Sequence, residues 1–138
     1  MSLDFEGKVA IVTGSGGGIG KGYALELGKR GAKVVVNDLG GAVDGSGGSL
    51  TAAETVVKEI QDNGGDAMAN GANVCNQDEV KNMVEQAMEK WGRVDVLVNN
   101  AGILRDKSFA KMPWEDFVTV VNVHLLGSAL CAHTVFPI

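Results

Sequence analysis

The sequence predicts an α/β fold, a doubly wound parallel sheet. Short and almost wholly apolar segments, which suit strands buried on both faces, alternate with longer segments whose apolar residues recur at helical spacing. Strands and helices that alternate in this way form parallel sheets with right-handed crossovers. Polar, glycine-rich segments at 13–20, 38–48 and 99–102 follow strand ends. They should therefore converge on one edge of the sheet, where such folds bind ligands.

The first strand is predicted at Val9–Val12, and the helix that follows it closes at Gly31. The apolar positions of that helix are Ile19, Tyr23, Ala24 and Leu27. The second strand is predicted at Lys33–Asn37 because it contains an uninterrupted run of valines. A low-complexity loop at residues 40–49 follows this strand.

The second helix is predicted from the capping-box spacing of Thr51 and Glu54, and it ends at Gly64 and Gly65. Its apolar positions are Leu50, Ala53, Val56, Val57 and Ile60. The third strand, at residues 67–74, is a weaker prediction because it mixes Ala, Met, Asn and Gly.

The third helix has the most regular pattern in the chain. Its apolar positions are Val80, Met83, Val84, Ala87, Met88 and Trp91. Asn76 should cap it, with Glu79 as the reciprocal partner. The fourth strand is predicted at residues 94–98, and Pro113 suits the first turn of a last helix that runs towards Pro137. The expected strand order, 3-2-1-4, leaves the fourth strand at an edge.

Length and charge limit the possible functions. The 138 residues fit one domain, residues 1–138, and 12 basic against 17 acidic side chains give a net charge of −5. This balance argues against a nucleic-acid partner, which requires a basic surface. No apolar run approaches the ~20 residues of a membrane span, and the charged N-terminus is unlike a secretory signal. We therefore expect no membrane partner and a cytoplasmic location.

The cysteines and histidines do not suggest a metal site. Cys75 and Cys131 lack the spacing of metal ligands and are expected to be reduced, buried thiols. His124 and His133 fall in the last helix, with no carboxylate or cysteine cluster beside them.

The segment "VTGSGGGIG" places five glycines between positions 14 and 20, where a strand gives way to a helix. Gly14 permits a tight turn, and Gly20 lets the helix lie close to the sheet. The glycines at 16–18 allow the backbone itself to contact a ligand, and a helix N-terminus there favours a pyrophosphate. A flexible connector is the alternative, but the strand and helix on either side favour a Rossmann-type nucleotide site.

Asp38 follows the second strand, where a carboxylate can accept both hydroxyls of an adenosine ribose. The alternative is a solvated turn residue. Leu39 and Gly17 occupy positions where a base could bind a 2′-phosphate, and neither carries a charge. Against such a phosphate, Asp38 would cost about 3–4 kcal/mol at ~4–5 Å and an effective dielectric near 20. The expected cofactor is therefore NAD.

Two motifs together resemble the short-chain dehydrogenase/reductase family. "TGSGGGIG" has the TGxxxGxG form of its first motif, and "NNAG" at residues 99–102 matches its second. "VNDLGG" and "NNAGILRDKSF" are similar to the (3R)-hydroxyacyl-CoA dehydrogenase part of peroxisomal multifunctional enzymes and their bacterial relatives. The resemblance covers nearly the whole chain but only the N-terminal part of the family's domain. We therefore expect a fold truncated after the fourth strand and its helix.

The resemblance implies binding roles for the matching positions. It assigns the pyrophosphate to Gly14, Ser15, Gly18, Ile19 and Gly20, and the adenosine ribose to Asp38. Asn73 and Val74 fall beside adenine, where the family usually has Asp-Val. An asparagine accepts from the adenine amino group but can also donate, which should loosen base selectivity. Asn100, Ala101 and Gly102 would lie along the second ribose, while Asn99 would serve the sheet. Arg105 and Asp106 are expected to form a salt bridge in a loop, with contact to substrate or a partner as the alternative.

The family's catalytic Ser and Tyr-x-x-x-Lys are not found in these 138 residues. The single tyrosine, Tyr23, lies on the first helix and is followed four residues later by Leu27, so it suits packing. The family's active-site Asn usually stands three residues before a glycine in the last helix. Here His124 stands three before Gly127, with Asn122 two residues earlier, so both are weak catalytic candidates.

Two functions remain open at this point. One is the NAD-binding part of a dehydrogenase that acts on the CH–OH group of a hydroxyacyl-CoA or similar alcohol, inactive alone. The other is a non-enzymatic dinucleotide-binding or interaction module. A reading frame that continues beyond Ile138 with Tyr-x-x-x-Lys would favour the first, and a stop codon the second. The resemblance also implies a homo-oligomer, and a peroxisomal location in a eukaryote.

Overall fold

The structure, a computed structural model, describes residues 3–40 and 50–138. Residues 41–49 of the predicted loop lie outside the described residues. Four parallel strands form one sheet in the predicted order β3-β2-β1-β4. The strands are β1 (Val9–Val12), β2 (Lys33–Asn37), β3 (Asp66–Asn70) and β4 (Val96–Val98).

Helices cover both faces of this sheet. They are α1 (Gly18–Lys29), α2 (Thr51–Asp62), α3 (Gln77–Trp91), α4 (Trp114–Val121) and α5 (Gly127–Val135). A 3-10 turn, Phe109–Lys111, precedes α4, and a π-helical turn, Asn122–Leu126, joins α4 to α5. The doubly wound fold that the sequence predicts is confirmed.

Alternation along the strands sorts the core into two layers. On one face, Ile11 and Val35 pack with residues of α3 and with Cys131 of α5. On the other face, Val12, Val34 and Val36 pack against α1 and α2. All of these strand residues are almost fully buried, as strands covered on both faces require.

The buried face of α1 differs from the predicted one. Ile19 and Tyr23 are exposed, with 71% and 48% of their surface accessible, whereas Gly20, Ala24 and Gly28 are buried. A Cβ at Gly28 would lie 2.9 Å from Cγ2 of Ile60 on α2. Small residues thus bring α1 close to its neighbours, and the larger apolar residues lie outside this contact.

Two strand boundaries were predicted wrongly, and side-chain hydrogen bonds explain both. β3 ends at Asn70, because Asn70 Oδ1 accepts the backbone N–H of Ala72 at 2.8 Å and turns the chain. β4 begins at Val96, because the Asp95 carboxylate accepts the N–H of Val9 at 2.9 Å in place of a backbone carbonyl. Arg93 also binds this carboxylate, and its hydrogen bond is the main reason that the pKa of Asp95 is lowered.

The predicted helix caps are only partly correct. Leu50, not Thr51, precedes the first residue of α2, and the Leu50 side chain makes no capping hydrogen bond. Asn76 does cap α3, since its side chain accepts from the N–H of Glu79 at 3.0 Å. Glu79 does not reciprocate to Asn76; its carboxylate instead accepts from the N–H of Asn73 at 3.4 Å.

The last helix begins at Trp114, directly after Pro113, and its π-helical turn was not predicted. Trp114–Val135 is 22 residues long, with a mean hydropathy of 1.4 over its most apolar window, which is long and apolar enough to cross a membrane by length and composition alone. The expectation that no apolar run approaches a membrane span is therefore wrong for this helix. On one side it packs against the domain, since Cys131 is buried in the core and Asn99 Nδ2 donates to the carbonyl of Ser128 at 3.2 Å.

The outer side of this helix leads to a prediction about assembly. Its exposed large apolar residues are Trp114, Phe117, Val118, Leu125 and Leu126. β4 pairs only with β1 among the described strands, so its other edge has backbone groups available for pairing. We expect the chain to pair through the last helix, the β4 edge, or both, or to aggregate, as light scattering should show. Leu125→Glu should lower the mass of the assembly measured by light scattering only if the last helix forms the contact between chains. A monodisperse monomer with strongly protected β4 amides would contradict this expectation.

Candidate functional site

A cavity of about 540 Å³ lies at the carboxyl ends of the four strands. Each strand contributes the segment that follows it: Gly14–Gly18 after β1, Asp38–Gly40 after β2, Ala72–Cys75 after β3 and Asn100–Ile103 after β4. The three segments that the sequence places at one edge of the sheet therefore meet there, with a fourth from β3.

Most of the predicted binding residues line this cavity. They are Gly14, Gly18, Asp38, Asn73, Val74, Asn100, Ala101 and Gly102. Three predicted residues do not line it. Ser15 is buried, and its hydroxyl donates to the carbonyl of Val12 at 2.7 Å. Ile19 is exposed on α1, and Gly20 is buried against the loop beneath the cavity.

Gly14 and Gly20 are explained by packing between the loops. Gly14 has φ 64°, and a Cβ there would lie 2.8 Å from the Cα of Ala101. A Cβ at Gly20 would clash with the carbonyl oxygen of Gly14 and with the side chain of Asn100. Larger residues at either position would separate the loop after β1 from the loop after β4.

Gly17 and Gly18 are different, because a Cβ at either position would meet no atom of residues 3–40 or 50–138 within 4 Å. Gly18 has φ 56°, which favours glycine, whereas the space that a Cβ at Gly17 would take is free of the described residues within 4 Å. Both glycines line the cavity at the start of α1, whose N-terminus has no side-chain cap. The loop therefore presents bare backbone to the cavity at the positive end of a helix.

Thr13 joins the two loops, and the residue analysis did not single it out. Its buried hydroxyl oxygen accepts the backbone N–H of Asn100 at 3.1 Å and that of Ala101 at 3.0 Å. The Asn100 side chain returns a hydrogen bond from Nδ2 to the carbonyl of Gly14 at 3.1 Å. The available signal was the pairing of a threonine at the end of one strand with two asparagines at the end of another.

Asp38, directly after β2, binds the backbone of the loop after β1. Its Oδ2 accepts the backbone N–H of Gly16 at 2.8 Å, and its Oδ1 accepts that of Gly40 at 2.8 Å. A Cβ at Gly16 would lie 2.7 Å from Oδ2, so only glycine fits against this carboxylate. Asp38 is half-buried at the cavity wall, with room on its carboxylate for further donors.

A buried amide network below the cavity fixes the segment after β3. Asn37 Nδ2 donates to Asn70 Oδ1 at 3.1 Å and to the carbonyl of Ala72 at 3.0 Å. Asn70 Nδ2 donates in turn to Gln86 of α3 at 3.2 Å. The network explains how two buried asparagines are tolerated in the sheet. Sequence reasoning missed it, because Asn37 and Asn70 are neighbours only once β2 and β3 are paired.

Asn73, Val74 and Cys75 form the wall of the cavity beyond Asp38. Asn73 Oδ1 accepts the backbone N–H of Cys75 at 2.9 Å. Cys75 is exposed, contrary to the prediction, and partial burial raises the pKa of its thiol. Cys131 is buried as predicted, and burial, with a smaller effect of Cys75, raises its pKa to about 11.

His124 lies on the π-helical turn and contacts the loop after β4. Its Nε2 lies 3.1 Å from the backbone nitrogen of Ile103 and 3.0 Å from the carbonyl oxygen of the same residue. A Cβ at Gly102 would lie 2.5 Å from His124 Cε1. Asn122 is half-buried on the same turn, and its carbonyl accepts the N–H of Gly127. Neither residue lines the cavity.

Two further expectations concern an ion pair in the loop after β4 and a metal site anywhere in the chain. Arg105 Nη1 binds Asp116 of α4 at 2.8 Å, a partner that the sequence did not predict. Within the part of the chain that the structure describes, no three His, Cys, Asp or Glu residues come together as a metal site would require.

The chain belongs to the short chain dehydrogenase family, whose model matches residues 8–138. A peroxisomal hydratase-dehydrogenase-epimerase of Saccharomyces cerevisiae is 52% identical over 136 residues, which cover 99% of this chain and 15% of that protein.

Solved structures share the fold. A short chain dehydrogenase from Mycobacterium avium matches with a TM-score of 0.85 and 47% identity over 94% of this chain and 45% of that chain. A 7α-hydroxysteroid dehydrogenase complexed with NADH and 7-oxo glycochenodeoxycholic acid matches with a TM-score of 0.86 and 36% identity, covering 97% of this chain and 49% of that chain. The chain thus spans about half the length of these solved relatives.

The hydroxyl of Thr13 should be required for the two loops to stay together. Thr13→Val removes the acceptor for the N–H groups of Asn100 and Ala101, so the free energy of unfolding should fall by about 1–3 kcal/mol. Urea unfolding followed by circular dichroism measures this change. Thr13→Ser keeps the hydroxyl and should lose much less. Equal stability of the valine variant and the original chain would show that the hydrogen bonds of the Thr13 hydroxyl do not stabilise the fold.

Proposed function

We propose that this chain is the NAD-binding part of a dehydrogenase that acts on the CH–OH group of a hydroxyacyl-CoA or a similar alcohol. The observation that carries the proposal is the order of the cavity segments, which follows the sheet order β3-β2-β1-β4. A dinucleotide is a linear molecule with a base at one end, two phosphates in the middle and nicotinamide at the other end. The four segments offer a suitable site for each part in that order.

The loop after β1 suits the pyrophosphate. The open space at Gly17 and Gly18 leaves room for a ligand against the backbone, and none of the described atoms accounts for the missing side chain at Gly17. The uncapped start of α1 favours negative charge there. Of the assigned pyrophosphate residues, Gly14 and Gly18 line the cavity, while Ser15 and Gly20 shape the loop from below.

Asp38 suits the adenosine ribose, because a carboxylate can accept both ribose hydroxyls. The same carboxylate opposes a 2′-phosphate, and no basic side chain lines the cavity among the described residues. We therefore infer NAD rather than NADP. The relative that was solved with NADH supports a nicotinamide dinucleotide.

The segment after β4 suits the nicotinamide end. Asn100, Ala101 and Gly102 line the cavity next to the glycine loop, and Thr13 and His124 hold this segment from two sides. Bound NAD would supply hydride acceptance. The residues of this chain would bind the dinucleotide and orient it, which is the protein's share of such chemistry.

The substrate and location are inferred from similarity. The segments "VNDLGG" and "NNAGILRDKSF" are similar to hydroxyacyl-CoA dehydrogenases, and the yeast relative is named as a peroxisomal enzyme. A small-molecule alcohol or ketone would be the partner in the complete enzyme, as part of a homo-oligomer. We propose a peroxisomal location in a eukaryote and a cytoplasmic one otherwise.

The second candidate function is a non-enzymatic dinucleotide-binding or interaction module, which the same cavity would serve. The single tyrosine of these 138 residues, Tyr23, lies on α1 beside an apolar cavity lined by Phe5, Leu27 and Val98, and both functions allow this position. The two functions differ in one property: the first requires that the full-length protein transfers hydride, and the second requires that it does not.

The first test concerns the cofactor. Calorimetric titration should show that NAD binds more tightly than NADP, because Asp38 opposes the extra phosphate. Asp38→Ala should narrow the gap between the two, mainly by weakening NAD. Glu85→Ala removes an exposed carboxylate from α3 and is the control for net charge. NADP binding as tight as NAD binding would contradict the cofactor assignment.

The second test concerns activity. The chain alone should transfer no hydride from NADH to a ketoacyl-CoA, or from an alcohol to NAD. Tyr23 lies outside the cavity proposed for NAD, and His124 Nε2 is within hydrogen-bond distance of the backbone of Ile103, so neither is placed to exchange a proton with a substrate. Absorbance at the NADH band measures the reaction. Turnover above the blank that is lost in His124→Gln would make His124 a proton donor and overturn this expectation.

A further inference from the structure

We propose that Asn73 makes the base pocket accept a purine with a carbonyl at position 6, hypoxanthine, nearly as well as adenine. This inference rests on the proposed function and deepens it, since it concerns the base end of the same dinucleotide site. It is carried by the orientation of one amide group in the cavity wall.

The hydrogen bond to Cys75 fixes which end of the Asn73 amide is the oxygen. A backbone N–H can only donate, so the atom that lies 2.9 Å from the nitrogen of Cys75 must be Oδ1. Nδ2 is then the other end of the amide, and it has no hydrogen-bond partner within residues 3–40 and 50–138. Asn73 therefore presents an available N–H donor in addition to the second lone pair of its oxygen.

The position of this amide is fixed relative to Asp38. The backbone N–H of Asp38 donates to the carbonyl of Asn70 at 3.0 Å, which joins the segments after β2 and β3. Asn37 and Asn70 bind both backbone groups of Ala72, directly before Asn73. With the ribose at Asp38 and the pyrophosphate at the glycine loop, the base must extend away from β1, towards Asn73 and Val74.

The two purines differ in the hydrogen-bond donors and acceptors that they present to this side chain. Adenine offers an amino donor at position 6 and an acceptor at N1, whereas hypoxanthine offers a carbonyl acceptor at position 6 and a donor at N1. An amide can pair with either edge, because it has both a donor and an acceptor. A carboxylate at the same position could accept from the adenine amino group, but it would repel the carbonyl at position 6 of hypoxanthine and could bind that base only through N1–H. The asparagine should therefore remove a selection that an aspartate would impose.

The experiment compares two dinucleotides on two proteins. NAD and nicotinamide hypoxanthine dinucleotide are titrated by calorimetry against the original chain and against Asn73→Asp. The original chain should bind both within about threefold of each other. In Asn73→Asp, the preference for NAD should rise about tenfold, the effect of one mismatched hydrogen bond. Asn76→Asp makes the same change three residues away, at the exposed cap of α3 outside the cavity, and should leave the ratio unchanged.

The possible failures are distinguishable. A preference of tenfold or more for NAD in the original chain overturns the inference and leaves the proposed function intact. An unchanged ratio in Asn73→Asp, with circular dichroism that shows a folded variant, also overturns it, because Asn73 would then not select the base. If neither dinucleotide binds the original chain, the proposed function is overturned and this inference with it.

Discussion

The site depends on the close passage of two loops, the one after β1 and the one after β4. Their backbones approach so closely that neither Gly14 nor Gly20 could carry a side chain. The Thr13 hydroxyl accepts the N–H groups of Asn100 and Ala101 in the loop after β4, and Asn100 returns a hydrogen bond to Gly14. These bonds give partners to the backbone N–H of Ala101 and to the carbonyl of Gly14 at the point where the loops meet. Because both loops are fixed to each other, the cavity wall they share needs no large side chains to hold its shape.

The same use of small residues continues along α1. Gly20, Ala24 and Gly28 form its buried side, which lets the helix approach the sheet and α2. This close approach brings the N-terminus of α1 to the carboxyl end of β1, where the helix dipole acts on the cavity. On the far side of β2, backbone pairing stops where β3 ends at Asn70. The side-chain amides of Asn37 and Asn70 then supply the hydrogen bonds that hold the following segment against β2. Backbone and amide groups, rather than charged side chains, thus make up most of the cavity wall.

Sequence reasoning predicted what depends on local pattern. The valine runs of β1 and β2, the apolar stripe of α3 and the sheet order follow from residue periodicity and from the handedness of crossovers. It failed where a side chain replaced a backbone group, as at Asp95 and Asn70, since such contacts join residues distant in sequence or turn the chain within two residues. It also misjudged the buried face of α1, because periodicity favours large apolar residues: Gly20 was expected to lie close to the sheet, but the packing of Gly28 against Ile60 was not predicted. Most of the predicted cavity residues could be found because they follow strand ends.

His124 illustrates how a residue with catalytic chemistry can be committed to structure. Its Nε2 lies within hydrogen-bond distance of both the nitrogen and the carbonyl oxygen of Ile103. Without a proton this nitrogen accepts from the N–H; with one it donates to the carbonyl, so in either form it is bound to the backbone. The ring also occupies the space that a side chain at position 102 would need. We therefore interpret His124 as a positioning residue for the loop after β4. If the chain belongs to a dehydrogenase, as proposed, we expect the proton to be carried by another group.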